Sequence, residues 1–165
     1  YNYEFIKDMA GLLSDFKEII LVYKPKRGPG SREFSCADGL KNLLKQLSSG
    51  GRTIVLEHDI NPWFAIAMAD ICVSIPFISA SVAAVHYEKI GIFHDPLNVV
   101  HGHRYWEFQE LITHSYGELK KKMAEYLYAK KRIGDILDEA SLRKIQGRFP
   151  KENSSGRFRE YLASA

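Results

Sequence analysis

The fold is decided by residues 69–96, which read ADICVSIPFISASVAAVHYEKIGIFHDP. Ile71–Ile75 is a short apolar run without charge, as expected for a strand that is buried on both faces. Ser79-Ala80-Ser81 then opens a helix of small residues, and Ile90–Phe93 forms a second apolar run that ends in His94-Asp95-Pro96. The stretch therefore predicts a strand, a helix and a second, parallel strand.

The rest of the chain continues this alternation. Apolar residues at helical spacing predict a helix over Tyr3–Phe16, and β-branched runs predict strands over Glu18–Tyr23 and Arg52–Glu57. Ser35, Asn61 before Pro62, and Ser115 before Glu118 are typical of helix starts. The sequence predicts an α/β, Rossmann-like three-layer domain with a mostly parallel four-stranded sheet over residues 1–130. A helical extension follows over residues 131–165.

The first predicted element is a helix, although doubly wound sheets usually begin with a strand. Such a strand would lie between those at Glu18–Tyr23 and Ile71–Ile75, which gives the alternative of five strands with one missing. The chain begins at Tyr1 and not at Met, which predicts a fragment of a longer protein. Either the two strands pair directly, or another chain fills the space between them.

Charge is unevenly distributed along the 165 residues. Residues 120–165 hold 12 Lys and Arg against 6 Asp and Glu, whereas residues 1–119 carry a small acidic excess. A solvated helical surface explains this; the alternative partners are an anionic lipid, a nucleic acid or an acidic protein. No apolar run approaches the roughly 20 residues of a membrane span. Cys36 and Cys72 are expected to be reduced structural thiols.

Polar groups follow each predicted strand. They are Lys24, His58 with Asp59, Ser74 with Ser79, and His94 with Asp95. Because parallel strands end at one edge of the sheet, these groups are expected to gather at a ligand site there. The Ser79–Ser81 helix start suits a phosphate, Lys24 could neutralise its charge, and Asp95 could accept hydrogen bonds from sugar hydroxyls. A glycine-rich dinucleotide motif and a Walker loop are both absent from the sequence.

Residues 18–148 resemble the carboxy-terminal, donor-binding half of GT-B-type glycosyltransferases of bacterial surface and capsular polysaccharide biosynthesis. The resemblance is carried by LVYKPK, by the 69–96 stretch with its lead-in VLEHDINPWFAIAM, by SYGELKKKMAEYL and by GDILDEASLRKIQGRF. The chain departs from the family's Lys-Pro-His strand end, and a ribose-binding Glu has no clear counterpart.

The resemblance implies a cytoplasmic, nucleotide-sugar-binding domain that works against an amino-terminal domain of the same protein. The ligand-binding residues it implies are Lys24, His58, Ser79, Ser81 and Asp95. It implies no catalytic residue in this half, no metal and no cofactor beyond the nucleotide-diphosphate sugar substrate. It also allows a dimer, gives no role to nucleic acid, and places basic residues 120–159 near the inner face of the cytoplasmic membrane.

Two other functions remain open at this point. His94, Asp95, His101 and His103 could hold a divalent metal, which would make the protein a metal-dependent hydrolase. Alternatively, the domain could be a non-catalytic Rossmann-like binding module. The sequence does not identify the sugar, the nucleotide base, the acceptor or the linkage.

Overall fold

A computed structural model describes residues 1–26, 38–76, 79–99 and 108–147. The helices are α1 (Asn2–Asp15), α2 (Asp38–Ser49), α3 (Pro62–Met68), α4 (Ala80–His86), α5 (Tyr116–Tyr128) and α6 (Glu139–Gly147). The strands are β1 (Leu21–Tyr23), β2 (Thr53–Val55), β3 (Ile71–Ser74), β4 (Ile90–His94) and β5 (Ile112–Thr113). Short 3-10 turns cover Gln109–Leu111 and Ile133–Asp135.

All strand pairs in the described residues are parallel, and they form two sheets. β1 pairs with β2, with Val22 opposite Ile54. β4 lies between β3 and β5 in the second sheet, with Val73 opposite Ile92. The α/β, Rossmann-like class predicted from the sequence is therefore confirmed.

The side chains of β4 separate two layers of helices. Ile90 and Ile92 pack against α1 and α5, in a cluster that includes Leu119 and Met123. Phe93 points to the opposite face, since neighbouring residues of a strand alternate in direction, and it packs against Val82 of α4. The sheet thus lies between helices on both faces, as the three-layer prediction requires.

The residues after 130 pack on the domain as far as they are described. Ile133, Leu137 and Ile145 are buried in the same cluster as Phe93 and Val82. The boundary at residue 130 stays a prediction, and the helical end of the chain beyond 147 lies outside the described residues, as does the helix cap predicted at Ser35. The caps predicted at Asn61 and Ser115 are confirmed by hydrogen bonds to Trp63 N (3.0 Å) and Glu118 N (3.3 Å).

The prediction of four strands was wrong in number. β5 is a fifth strand; it is only two residues long, which is too short for a periodicity to reveal. The prediction that Ile71–Ile75 is buried on both faces was also wrong. β3 is only half-buried except at Ser74, because its outer edge has no neighbouring strand among the described residues, whereas β4 is buried throughout.

A deep groove separates the two sheets. The edges of β1 and β3 line it together with α1 and α3, and its cavity volume is about 1200 Å³. Of the two arrangements expected from the sequence, direct pairing of these strands is therefore excluded by the sheet topology. The carboxyl ends of β1, β2 and β3 open into the same groove, which makes it the candidate site.

The contact between α4 and β4 is a backbone contact. A Cβ atom added to Gly91 would lie 2.0 Å from the carbonyl oxygen of Ser81. Only glycine lets the helix approach the strand this closely. The small residues of α4 thus serve close helix–sheet packing, and Ser81, Val82, Ala83, Ala84 and Val85 are all buried.

We predict that Gly91→Ala lowers the free energy of unfolding by about 3 kcal/mol or more, because the backbone of α4 must move to admit the methyl group. Gly134→Ala is the matched control. No atom lies within 4 Å of a Cβ at that position, so the control is expected to be neutral or stabilising by about 0.5 kcal/mol. Urea denaturation of both variants provides the measurement. Equal stability of the two variants would contradict the close contact.

Candidate functional site

Lys24 lies at the carboxyl end of β1 and holds the turn after β2. Its Nζ donates hydrogen bonds to the carbonyl oxygens of His58 (2.7 Å) and Pro25 (2.8 Å). Two of the predicted site residues, Lys24 and His58, are therefore brought together. The amine has three donors, so one N–H remains beyond these two bonds, and the charge lies at the mouth of the groove.

Further polar residues line the same mouth. Lys26, Asp59, Asn61 and Ser74 border the groove beside Lys24 and His58. The imidazole of His58 is exposed, and Lys24 is half-buried. This end of the groove combines ammonium, imidazole and hydroxyl groups with an apolar floor, the composition that is typical of a site for a polar small molecule. The sequence had pointed to Asp59 but not to Lys26 or Asn61 as neighbours of this site.

Ser79 precedes α4 and is exposed. Its side chain makes no capping hydrogen bond, and its backbone is already helical (φ −70°, ψ −5°). α4 is only seven residues long, so its dipole is smaller than the sequence led us to expect. Ala80, the next residue, lines the groove, whereas Ser79 itself is not among the lining residues. Its hydroxyl is accessible to a ligand.

Ser81 is part of the core and makes structural hydrogen bonds there. It is fully buried, and its Oγ donates to the carbonyl oxygen of Ile92 at 2.6 Å. Ser74 Oγ lies 2.6 Å from Ser81 Oγ; because the Ser81 proton is given to Ile92, Ser74 acts as the donor. These bonds join α4 to both β3 and β4. A phosphate could not reach Ser81 without breaking them.

Asp95 is also buried, at the end of β4. Its backbone N–H donates to the carbonyl oxygen of Thr113 (2.8 Å). Burial and a hydrogen bond to the Asp95 carboxylate raise the pKa of the Tyr1 hydroxyl. Tyr1 Oη also lies 3.3 Å from the carbonyl oxygen of His94. The structure therefore places Asp95 against the start of α1, and Asp95 is not among the residues that line the groove.

His94 forms a buried chain of hydrogen bonds that the sequence did not reveal. Its Nε2 lies 2.8 Å from Asp8 Oδ2, and its Nδ1 lies 2.9 Å from Thr113 Oγ1. Burial lowers the pKa of His94 and outweighs the opposing effects of Asp8, Thr113 and Asp95. The neutral ring carries one proton, and a carboxylate only accepts. Nε2–H therefore donates to Asp8, and Thr113 donates to Nδ1.

This arrangement bears on the alternative of a metal site. Both ring nitrogens of His94 are already bonded within the domain. Within the described ranges, no group of three or more His, Cys, Asp or Glu is placed to hold a metal ion. His101 and His103 lie outside those ranges. The metal-dependent hydrolase thus gains no support from the described residues.

The basic segment at residues 120–159 is described as far as residue 147. Several of its cations pair with carboxylates of the domain: Lys120 with Asp15 (2.8 Å), Lys131 with Glu125 (3.2 Å) and Arg143 with Glu139 (2.5 Å). These exposed pairs reduce the charge that is available to an external partner. Among the described residues, no helix is both long enough and apolar enough to cross a membrane.

A comparison with protein families identifies the family of this chain. The family described as "Polysaccharide biosynthesis PFTS motif protein" matches residues 2–123. The chain belongs to this family. The general role in polysaccharide biosynthesis that was expected from the sequence is therefore supported. No curated protein and no solved structure showed a significant similarity to the chain.

One segment of this PFTS-family chain is similar to the four capital letters in the family's description. Written in one-letter code, Pro76–Ser79 reads PFIS, which agrees with the four letters of the description at three positions. Pro76 lies two residues after the end of β3 and is buried, whereas Ser79 precedes α4 and is exposed. Phe77 and Ile78 lie outside the described residues.

The buried histidine predicts how stability depends on pH. In the folded chain burial lowers the pKa of His94, whereas in the unfolded chain the ring protonates near its ordinary pKa of about 6.5. Protons therefore stabilise the unfolded state. We expect the free energy of unfolding to fall as the pH drops below about 6.5, by up to about 1.4 kcal/mol per pH unit. Denaturation between pH 7.5 and 5 measures this slope.

His94→Gln is the matched variant, because it keeps hydrogen-bonding groups but does not titrate. It should lose stability at pH 7.5 and show a shallower slope between pH 6.5 and 5. An unchanged slope in this variant would assign the pH dependence to other groups.

Proposed function

We propose that this chain binds the nucleotide-sugar donor of a glycosyltransferase of polysaccharide biosynthesis. The observation that supports it most strongly is the position of Lys24 at the mouth of a groove formed by the carboxyl ends of three parallel strands. Open α/β sheets bind their ligands at that edge. Membership of a polysaccharide biosynthesis family supplies the class of chemistry.

Lys24 is the residue that we propose for the diphosphate. Two carbonyl oxygens fix its amine at 2.7 and 2.8 Å, so the charge is oriented before a ligand arrives. A charge-assisted hydrogen bond from an ammonium to a phosphate oxygen is strong and short. When the sugar is transferred, negative charge grows on the departing diphosphate, and a preoriented cation stabilises it.

His58 and Ser79 complete the proposed donor site. His58 is held next to Lys24 through its own backbone, and its exposed ring can donate to a phosphate or a ribose hydroxyl. Ser79 is exposed and ends the segment that reads PFIS. Ser81 and Asp95, which were expected to share this role, are buried in the domain, and we assign them no contact with the donor.

We predict that Lys24→Met weakens the binding of a nucleoside diphosphate by about 10- to 100-fold, the effect of losing one hydrogen bond to a charged group. Isothermal titration with UDP, CDP and GDP is the measurement. Lys41→Met, on the exposed face of α2, is the control and should bind like the wild type. The proposal fails if the wild type binds none of the three nucleotides, or if both variants bind equally well.

The two serines should separate binding from stability. Ser79→Ala is expected to weaken nucleotide binding with little change in unfolding, because its side chain makes no capping bond. Ser81→Ala is expected to lower the free energy of unfolding by about 1–3 kcal/mol, because it leaves the buried Ser74 hydroxyl without its partner. Titration and urea denaturation of both variants are the measurements. The reverse pattern would show that Ser81, and not Ser79, contacts the ligand.

A further inference from the structure

The edge of β1 that faces the groove has the hydrogen-bonding groups of an unfinished sheet. Leu21 N–H donates to Arg52 O, and Tyr23 O accepts from Leu56 N–H, both at 2.9 Å. These groups point towards β2. Because successive residues of a parallel strand point their backbone groups to opposite sides, the N–H and C=O of Val22 are directed away from β2 and into the groove.

The edge of β3 is arranged in the same way. Ile90 N–H of β4 donates to the carbonyl oxygen of Asp70 at 3.4 Å. By the alternation of a parallel ladder, the backbone groups of Ile71 and Val73 are therefore directed away from β4. All three residues of β3 before Ser74 are only half-buried. Two strand edges thus face each other across the groove.

The groove has the walls of a sheet interior. On one face it is lined by Phe5 and Met9 of α1 and by Met123 of α5, and on the other face by Ile66 of α3 and Ala80 of α4. Its volume of about 1200 Å³ exceeds the roughly 300–1000 Å³ of ordinary small-molecule pockets. Apolar walls above and below, with hydrogen-bonding edges at both sides, are the surroundings of a buried parallel strand.

The start of α1 indicates how such a strand connects. The hydroxyl of Tyr1 lies 3.3 Å from the carbonyl oxygen of His94, which ends β4. α1 therefore begins at the carboxyl edge of the sheet, and Asn2 lines the groove. A strand that ran through the groove parallel to β1 and β3 would finish at this same edge. A turn of 2–6 residues, the usual length of a strand-to-helix loop, could join it to Tyr1.

We propose that the groove holds a sixth β-strand of the same polypeptide, parallel to β1 and β3 and joined to α1 through Tyr1. α1 would then be the crossover between the new strand and its neighbour β1, in keeping with the rule that such connections join nearby strands. Counting the new strand as the first, the strand order becomes 3-2-1-4-5-6, the order of the doubly wound dinucleotide-binding fold.

The sequence of the rest of this chain argues against another occupant. A central parallel strand is a near-continuous apolar run. The longer undescribed ranges, 27–37, 100–107 and 148–165, contain no run of four apolar residues, and they are rich in charge, His, Gly, Pro and Ser. For the same reason, a second copy has no spare apolar segment to donate.

The test adds a strand to the 165-residue chain. One version carries a six-residue strand of alternating Val and Ile and a Gly-Asn-Gly turn before Tyr1. A second version has two of the strand residues replaced by Pro, which cannot pair inside a sheet. Amide hydrogen exchange by NMR is measured at Val22, Ile71 and Val73, with Ile92 of the central strand as the internal reference. No nucleotide is present, so the result is independent of the proposed donor site.

The apolar extension should slow exchange at Val22, Ile71 and Val73 by about tenfold or more, since amides within a sheet exchange only on larger openings. It should also raise the midpoint of thermal unfolding, and the proline version should do neither. In the extended chain, Val22→Pro should abolish the gain in protection and thermal stability, because it removes the N–H that is directed into the groove. Val55→Pro, whose backbone points to the outer edge of β2, should leave it intact.

Three results would overturn the proposal. The first is that the extended chain folds, with the Ile92 amide protected, but the amides of Val22, Ile71 and Val73 exchange as fast as in the unextended chain. The second is that the apolar and the proline-containing extensions increase amide protection and thermal stability equally. The third is that the unextended chain is a dimer in which the same three amides are already protected. This result would assign the groove to a second copy.

Discussion

The structure depends on the relation between two parallel strands, β1 and β3, that face each other without pairing. Each is paired on one side only among the described strands, so the sheet is divided in its centre and not at its rim. The two halves are held together from above and below by helices, chiefly through the cluster that joins α1 and α5 to β4. The groove that results is also the place where the carboxyl ends of β1, β2 and β3 open.

The functional argument follows from this geometry. In an open α/β sheet the crevice lies where the strand order reverses, and here that point coincides with the groove. Lys24 and His58 line it from the β1–β2 side and Ser74 from the β3 side, and Ser79 precedes the lining residue Ala80 in the chain. If a sixth strand fills the groove, only the carboxyl mouth stays open. The proposed donor site and the proposed strand are thus compatible, since they would occupy different parts of the groove.

The sequence predicted the parallel α/β layers and the caps at Asn61 and Ser115, because these depend on local periodicity and turn chemistry. It also placed Lys24 and His58 at one edge. It could not separate Ser79 from Ser81. Residues two apart on a helix point in directions about 200° apart, so one serine of the pair must face the sheet when the other faces solvent. The close approach of α4 to Gly91 decides that Ser81 is the serine that faces the sheet. This approach is a tertiary contact, which local sequence patterns do not reveal.

The hydrogen-bonded chain of Asp8, His94 and Thr113 was equally hidden, because its members come from α1, β4 and β5 and are far apart in sequence. From the sequence alone, His94 and Asp95 looked like a ligand pair. Their burial shows that the end of β4 is used to fix α1 and β5. Some of the polar residues that follow the strands therefore line the groove, whereas others are buried in the domain.

The most direct test of the central claim is an NMR titration of the 165-residue chain with UDP, CDP and GDP. The account predicts that at least one nucleotide shifts the backbone amides of Lys24, His58 and Ser79 together, while those of the buried Ser81 and Asp95 move less. Shifts centred on the far side of β5, or no shift with any of the three nucleotides, would contradict the assignment of this groove as the donor site.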